Sequence, residues 1–480
     1  MNKEYVIFIK EHLHIYTIDV ADDELKVEST LKRNLIHNEL LITFQPDELI
    51  NLLGVDGVQR VQILDFECLD KQIRQSTELP IRDEWSIPKM IATYLNKEER
   101  KWQEEEYEAL LKELALCYRE MKHRGTDEWQ RIKEIEIPVN KILYDVQAKG
   151  FYFNHEMIEQ RCHELYRELY KYKNQIQLEL NYTGEDLISY LNLHHIEHKL
   201  RRFPSDTEYK NICKIQHPEL EPFWQVKKVE RNLKCLLILS TDRFSSNKCN
   251  PIFKGFASST GRIFLREPAL QHLQKKFRIL LKENLSEEWR YEYIDFGQFE
   301  AGILAGLTKN TKLQELYEND SIYETLAKIV NTDRDTAKII FYCFVYGGII
   351  QKQAEPFFKS YNLENIVDIF FNQAKENGYV ETVFGNKRRV LDDNDKTWAF
   401  NHYIQGTSSL IFKQALINVK TAFENKVELI LPVHDAALFK VHKIIDTEQL
   451  KTQFKNAFTK WIPGSNPIIK VKDFFEEGEQ

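Results

Sequence analysis

The sequence predicts an α/β (α+β) protein of several domains, and three stretches carry that expectation. Residues 1–90 alternate apolar strands, Tyr5–Ile9, His14–Ile18, Leu40–Phe44 and Val58–Leu64, with a short helix near Pro46–Leu53. Tyr291–Thr308 reads as a buried strand that delivers one carboxylate, Asp295, to its end, followed by a helix of small and apolar residues. Leu429–Val441 reads as two apolar strands joined by a tight turn with His434 and Asp435 at its tip. Long amphipathic helices fill the intervals, and 480 residues provide core for two to four domains.

Bulk properties narrow the class. Hydrophobic content of 42% and charged content of 29% describe a soluble protein. No apolar run reaches membrane-spanning length, and Lys3, Glu4, Lys10 and Glu11 interrupt the first apolar stretch, against both a signal peptide and a membrane helix. The cysteines at 68, 117, 162, 213, 235, 249 and 343 form no Cys-x-x-Cys pair, which suggests reduced thiols in a cytoplasmic protein. The net charge of −8 is unevenly spread. Residues 1–130 carry about 17 basic and 27 acidic side chains, residues 191–290 about 19 and 11. That basic middle fits either a phosphate-binding surface or a solvated face.

Each element has its own signal. Asp65-Phe66-Glu67 follows an apolar strand, in the manner of the Asp-x-Glu that opens 3′–5′ exonuclease sites, but no further carboxylate pattern joins it before the next domain. A structural remnant is the expectation. Residues 91–134 form a charged helical connector with Tyr94, Trp102, Tyr107, Leu110, Leu111, Leu114 and Leu116 among Lys and Glu, ended by Gly125. From Ile135 a new pattern begins, and His155–Leu180 has apolar residues at helical spacing. A helix over Pro222–Leu239 presents Lys227, Lys228, Arg231 and Lys234, cations suited to a nucleic-acid backbone.

Phe256–Arg262 is a polar turn displaying an arginine. Helices are expected at 301–307 and 311–330, and Thr332 or Asp333 caps the next. On that helix Arg334, Lys338, Tyr342 and Tyr346 recur every four residues before Gly347-Gly348. The stripe suits a triphosphate and a stacked base, and equally a surface helix with a core side. Gly378–Gly385 is a hairpin followed by Lys387-Arg388-Arg389, and Asn401–Thr407 leads into a helix through Ile411–Phe423. Asp295 alone reads as a helix cap or a metal ligand. Asp435, displayed the same way 140 residues later, is its natural partner.

Together these motifs resemble the DNA polymerase I family (family A) over roughly 70% of the chain, from Ile135 onward. Asp295-Phe-Gly-Gln-Phe-Glu300 is similar to the family's Asp-Tyr-Ser-Gln-Ile-Glu, and Arg334-x-x-x-Lys338-x-x-x-Tyr342-x-x-x-Tyr346-Gly347 to its fingers helix. Val433-His-Asp435 resembles its second metal-binding turn. Thr260-Gly-Arg262, Leu270-Gln271, and Asn401 with Gln405-Gly-Thr407 match the segments that track primer and template.

The resemblance implies a right-hand polymerase with a thumb at 135–250, palm at 251–308 and 398–480, and fingers at 309–397, behind a small exonuclease-like α/β domain at 1–90. It implies two Mg2+ ions, with Mn2+ able to substitute, on Asp295, Asp435 and the Phe296 carbonyl. Lys338 would act catalytically at the phosphates; Arg334, Tyr342, Tyr346, Gln298, Glu300 and Tyr323 would bind the incoming dNTP. Glu300 would exclude ribonucleotides, and a Tyr at 342 implies acceptance of dideoxynucleotides. Arg262, Gln271, Asn401, Gln405 and His434, with the basic helix, would hold primer-template DNA. The implied protein is a monomeric, membrane-free DNA-directed DNA polymerase without proofreading or a 5′-nuclease domain. A lesion-bypass or reverse-transcribing polymerase and a silent nucleic-acid scaffold are the alternatives. Ala436 stands where the family usually has Glu, Gly302 where many members have Arg, Tyr323 where many have His, and Leu410 where an acid is frequent.

Overall fold

The computed structural model describes residues 3–11, 14–30, 39–75, 85–175, 186–198, 209–240, 247–346, 351–390 and 396–476. The chain forms two compact units, one of residues 1–149, 252–266 and 285–473, the other of residues 150–251, 267–284 and 474–480.

The first unit contains a five-stranded sheet in the order Glu28–Thr30, His14–Asp19, Glu4–Lys10, Leu40–Thr43, Gln62–Asp65. Its first three strands are antiparallel, and the last two run parallel to Glu4–Lys10. The alternation of side chains supplies both faces. Ile7, Ile9, Leu41 and Ile63 meet Leu49, Ile50, Leu53 and Val58 from the helix Pro46–Val58. That helix runs past the expected Leu53, through a kink at Gly54 (φ 66°), so the predicted strand Val58–Leu64 shrinks to Gln62–Asp65. Burial of Val58 under the sheet outweighs its β propensity.

On the opposite face Val6, Ile18, Ile42 and Leu64 pack with Leu110, Leu111, Leu114, Cys117, Tyr118 and Met121 of the helix Tyr107–Arg124. The stretch expected to be a connector is therefore a layer of this domain's core. Its charges are the outer side of an amphipathic helix.

A four-stranded antiparallel sheet follows, ordered Val427–Val433, Ala436–His442, Trp289–Phe296, Ile469–Lys472. Phe296 lies 5.2 Å from Phe454 on the helix Thr447–Trp461, ring to ring. One helix, Lys396–Phe423, contains both Asn401–Thr407 and the segment expected to follow it. The expected single helix 311–330 is two, Thr311–Glu318 and Ile322–Val330, broken where Asp320 takes a φ of 54°. Arg334–Val345 starts from Asp333, whose carboxylate accepts from the Thr336 amide at 2.9 Å. The proposed stop at Gly347-Gly348 lies outside the described residues. The hairpin expected within Gly378–Gly385 is longer: Tyr379–Glu381 pairs with Lys387–Arg389, so the basic run expected to follow it is its second strand.

In the second unit Phe151–Tyr152 pairs with Lys248–Cys249, and the helices His155–Gln175 and Glu221–Leu239 pack along one another. The expected continuation of the first helix to Leu180 lies outside the described residues. The helix Ile137–Lys149, reckoned above with residues 135–250, belongs to the first unit, where Tyr144 joins the core beside Ile50. Among the described residues no helix is long and apolar enough to cross a membrane. All seven cysteines are free thiols, six of them buried.

Candidate active site

The four-stranded sheet brings the two expected carboxylates together. Asp295 sits opposite Ala436 in the ladder, so the turn that precedes Ala436 sets Asp435 beside the end of the Asp295 strand. The Phe296 amide reaches the Asp435 carbonyl at 3.5 Å. His434 closes that turn in the left-handed region, φ 56°, and is exposed. On the other side, a Cβ at Gly297 would meet Ile468 at 2.8 Å and Lys470 at 2.9 Å, so the strand must leave through glycine. Gln298, at φ 47°, then starts the helix Phe299–Thr308, and its amide donates to Asp320.

The electrostatics are those of a crowded anionic corner. Burial raises the Asp435 pKa; Arg262, His434 and Lys338 counteract this and Asp295 adds to it. Lys472, on the neighbouring strand, donates its ammonium to Asp295 Oδ2. Asp295, Asp435 and the Phe296 carbonyl are an all-oxygen donor set, which suits a hard divalent cation. The Lys472 ammonium shows that Asp295 already accepts a positive charge. Among the described residues there is no group of three or more His, Cys, Asp or Glu placed for a metal. Two carboxylates alone leave most positions of such a cation to waters and substrate oxygens.

Glu300 is the most enclosed acid of the site, 2% exposed. It accepts from Arg262 Nη2 at 2.9 Å and from the Tyr346 hydroxyl at 2.7 Å. Burial pushes its pKa up to about 7 against the pull of Arg262 and Tyr346, with Asp435 adding to the rise. The stripe that begins at Arg334 therefore connects through Tyr346 to the helix that follows the Asp295 strand. Tyr342 stacks on Tyr346 with ring centres 5.6 Å apart, and its hydroxyl lies 3.4 Å from that of buried Tyr323. Lys338 is exposed. Arg334 lies over the Tyr323 ring, pairs with Glu324, and stands 3.7 Å from Asp320. Asn401 and Gln405 are half-buried on the long helix.

The remaining predicted residues fall in the second unit. Gln271 occupies the short turn Leu270–His272. On Glu221–Leu239, Lys227 lies 4.2 Å over the Tyr209 ring, Lys228 donates to Gln225 at 3.2 Å, Arg231 is half-buried and Lys234 is exposed. Lys228 also lines a polar cleft of about 260 Å³ with Lys171 and Lys276, two cations that sequence spacing did not single out.

Sequence reasoning also missed Lys472, Asp320 and Tyr317. The Lys-x-Lys alternation at 470 and 472 was the legible signal for charges on one face of an edge strand. Tyr317 explains the Gly302 departure: a Cβ at 302 would meet the tyrosine ring at 2.3 Å, and the Tyr317 hydroxyl accepts from the Ile468 amide at 3.2 Å. The ring fills the space beside the helix, and the glycine admits it.

The Asp-x-Glu stretch has a different arrangement. Asp65 ends its strand and caps the helix Phe66–Arg74, accepting from the Glu67 amide at 2.8 Å. Lys254 places its ammonium 2.6 Å from Asp65 and 3.0 Å from Glu67. Burial is the largest influence on both partners: it would lower the Lys254 pKa, but Asp65, Cys68 and Glu67 together turn the net shift upward, and it raises the Asp65 pKa against the pull of Lys254. Burial likewise opposes ionisation of Glu67, yet Lys254 and Lys71 bring its pKa below the usual value.

Sheet, turn and flanking helices are those of a right-hand polymerase. The polymerase domain of M. smegmatis Pol1, solved in complex with DNA primer-template and dNTP, has this fold: TM-score 0.77 over 98% of this chain and 94% of that one, at 17% identity. The chain belongs to DNA polymerase family A, matched over residues 152–462. DNA polymerase I of Caldicellulosiruptor bescii is 23% identical over 95% of this chain and 59% of its own length. That of Borreliella burgdorferi is 26% identical over 69% and 42%. The chain thus spans less than two thirds of the length of either relative.

Proposed function

We propose that this chain is a template-directed DNA polymerase that adds dNTPs to a primer 3′-hydroxyl, without proofreading. The observation that carries this reading is the convergence of Asp295, Asp435 and the Glu300–Tyr346 contact at one sheet end. In this reading the palm is 251–308 with 398–480, the fingers 309–397 and the thumb 150–250, the helix Ile137–Lys149 having joined the first unit, and the protein works in the cytoplasm.

Asp295 and Asp435, with the Phe296 carbonyl, would hold two magnesium ions. Held there, they would supply acidification of the attacking hydroxyl and neutralisation of charge on the leaving pyrophosphate. Every other role belongs to the chain. Lys338 donates to the α-phosphate region, and Arg334 exchanges Glu324 and Asp320 for the outer phosphates, an exchange between exposed charges that water makes inexpensive. Tyr342 and Tyr346 stack beneath the base, Tyr323 supports Tyr342, and Gln298 keeps the helix start in place. Glu300, fixed by Arg262 and Tyr346, leaves no room for a ribose 2′-hydroxyl. Asn401, Gln405, Gln271 and His434 follow the primer and template, while Lys227, Lys228, Arg231 and Lys234 neutralise backbone phosphates and so make binding salt-dependent.

Primer extension with dNTPs or rNTPs on DNA and RNA templates tests the reading, with Asp295→Asn as control. Extension on DNA with dNTPs, abolished in the variant, is the expected result. No extension by the native chain would refute the polymerase, and extension surviving in Asp295→Asn would refute the metal site.

A further inference from the structure

The loop that carries Arg262 is held by three side chains from elsewhere and by two hydrogen bonds of its own. Its Ser258 carbonyl accepts from Gln72 Nε2 at 2.6 Å, and its Ser259 carbonyl from Asn386 Nδ2 at 3.1 Å. The Gly261 carbonyl accepts from Ser409 at 2.8 Å. Internally, the Arg262 amide donates to the Ser258 hydroxyl at 2.7 Å and the Gly261 amide to the Ser258 carbonyl at 2.9 Å. Asn386 is itself aimed by Gln75, whose Nε2 donates to its Oδ1 at 2.6 Å. Gln72 and Gln75 belong to the Phe66–Arg74 helix and its C-cap in the exonuclease-like domain.

These amides are unusually committed. Gln72 is 0% exposed, Gln75 3% and Asn386 3%. Gln72 is oriented in turn by buried Arg131, which donates to its Oε1 at 3.3 Å while pairing with Glu128 at 3.1 Å and Glu136 at 2.5 Å. Glu136 also takes buried Lys413 from the long helix. A buried amide keeps its orientation because every alternative leaves a polar atom unpaired, at about 1–3 kcal/mol per group. The network therefore transmits a fixed position from the Phe66–Arg74 helix to the loop that sets Arg262 against Glu300.

We propose that the N-terminal domain serves synthesis as a positioning element, in which Gln72 directly and Gln75 through Asn386 hold the Ser258–Arg262 loop and so place Arg262 on Glu300. This rests on the reading of Glu300 as the sugar-discriminating residue. Neither glutamine is a catalytic residue; both act through Arg262. Loss of either loosens the loop, and the Glu300 carboxylate then meets the nucleotide sugar in a wider range of positions.

The test uses the full chain with Gln72→Met and Gln75→Met, substitutions close in length that remove the amide, and Lys97→Ala on the exposed Lys97–Glu113 pair as control. Hydrogen–deuterium exchange over residues 257–263 reads the loop, and steady-state kinetics with dNTPs and rNTPs read the site. Each glutamine variant is expected to exchange faster in that loop, to raise KM for dNTPs about fivefold, and to lose a similar factor of discrimination against rNTPs, with kcat held within about twofold. The control is expected to match wild type. Unchanged loop exchange, or a fall in kcat with KM and discrimination unchanged, would overturn the proposal. Should one variant fail to fold, the other decides. If the native chain extends no primer, the polymerase reading fails by itself, and loop exchange still decides whether the glutamines hold the loop.

Discussion

Two places in this molecule set a carboxylate at the end of a strand and a lysine ammonium upon it, and they differ in burial. At Asp65 the lysine is Lys254, its side chain 10% exposed, and the carboxylate is fully buried. At Asp295 the lysine is Lys472, 48% exposed, on a carboxylate that is 21% exposed. A pair withdrawn from water has no competing partner; removing either member strands a charge and costs about 3–5 kcal/mol. A pair facing water is worth under about 1 kcal/mol and exchanges freely for a stronger cation. The first site is closed by its own chain, and the second accepts visitors. The same two residue types make a strut in one place and, under the proposed function, a reaction centre in the other.

Variants can break that contrast. The largest effect is expected at Asp435→Asn, which should lower primer extension by at least about a thousandfold in single-turnover assays, because the hard-cation site loses half its charge. Retention of activity would end the distinction between the two sites. Next, Lys254→Ala should lower unfolding free energy by about 3 kcal/mol or more in a denaturant titration, through uncompensated Asp65.

Glu300 tests the anionic corner by pH. Its pKa is raised from 4.5 to about 7, so the native state binds more protons than the unfolded chain in that interval. The associated stability is complete below pH 4.5 and is lost as pH rises through about 7. Wild type should therefore lose about 3 kcal/mol relative to Glu300→Gln across that window, with the difference constant on either side. Melting curves of the two proteins from pH 4 to 9 measure it, and parallel curves would contradict the assigned burial.

Gly302→Ala should destabilise by about 1–3 kcal/mol by driving a methyl group into the Tyr317 ring, and Tyr317→Ala in the same chain should relieve part of that loss. The smallest effect sharpens the comparison most. Lys472→Ala should leave stability within about 0.5 kcal/mol of wild type and reduce the Mg2+ concentration at half-maximal extension. A stability loss matching that of Lys254→Ala would show the two lysines to be equivalent.

Much of this was legible in sequence because it is local. Asp295, Asp435 and the Arg334–Tyr346 stripe are each displayed by a short periodic element, and their order along the chain disclosed the family. Val58 and the Tyr107–Arg124 helix were misjudged because their roles depend on the sheet face they cover. Lys254, Lys472 and Tyr317 escaped notice for a related reason: each acts on a residue far away in sequence. Lys254 lies 189 positions from Asp65 and Lys472 lies 177 from Asp295. No spacing rule reaches that far.

One measurement addresses both sites at once: the fate of a 3′-labelled primer annealed to template, incubated with Mg2+ and the native chain, with and without dNTPs. Extension is expected when dNTPs are present and a stable 3′ end when they are absent. Release of the 3′ label without dNTPs would show that the Asp65 site is open, and an unextended primer with dNTPs would show that the Asp295 site is not the reaction centre.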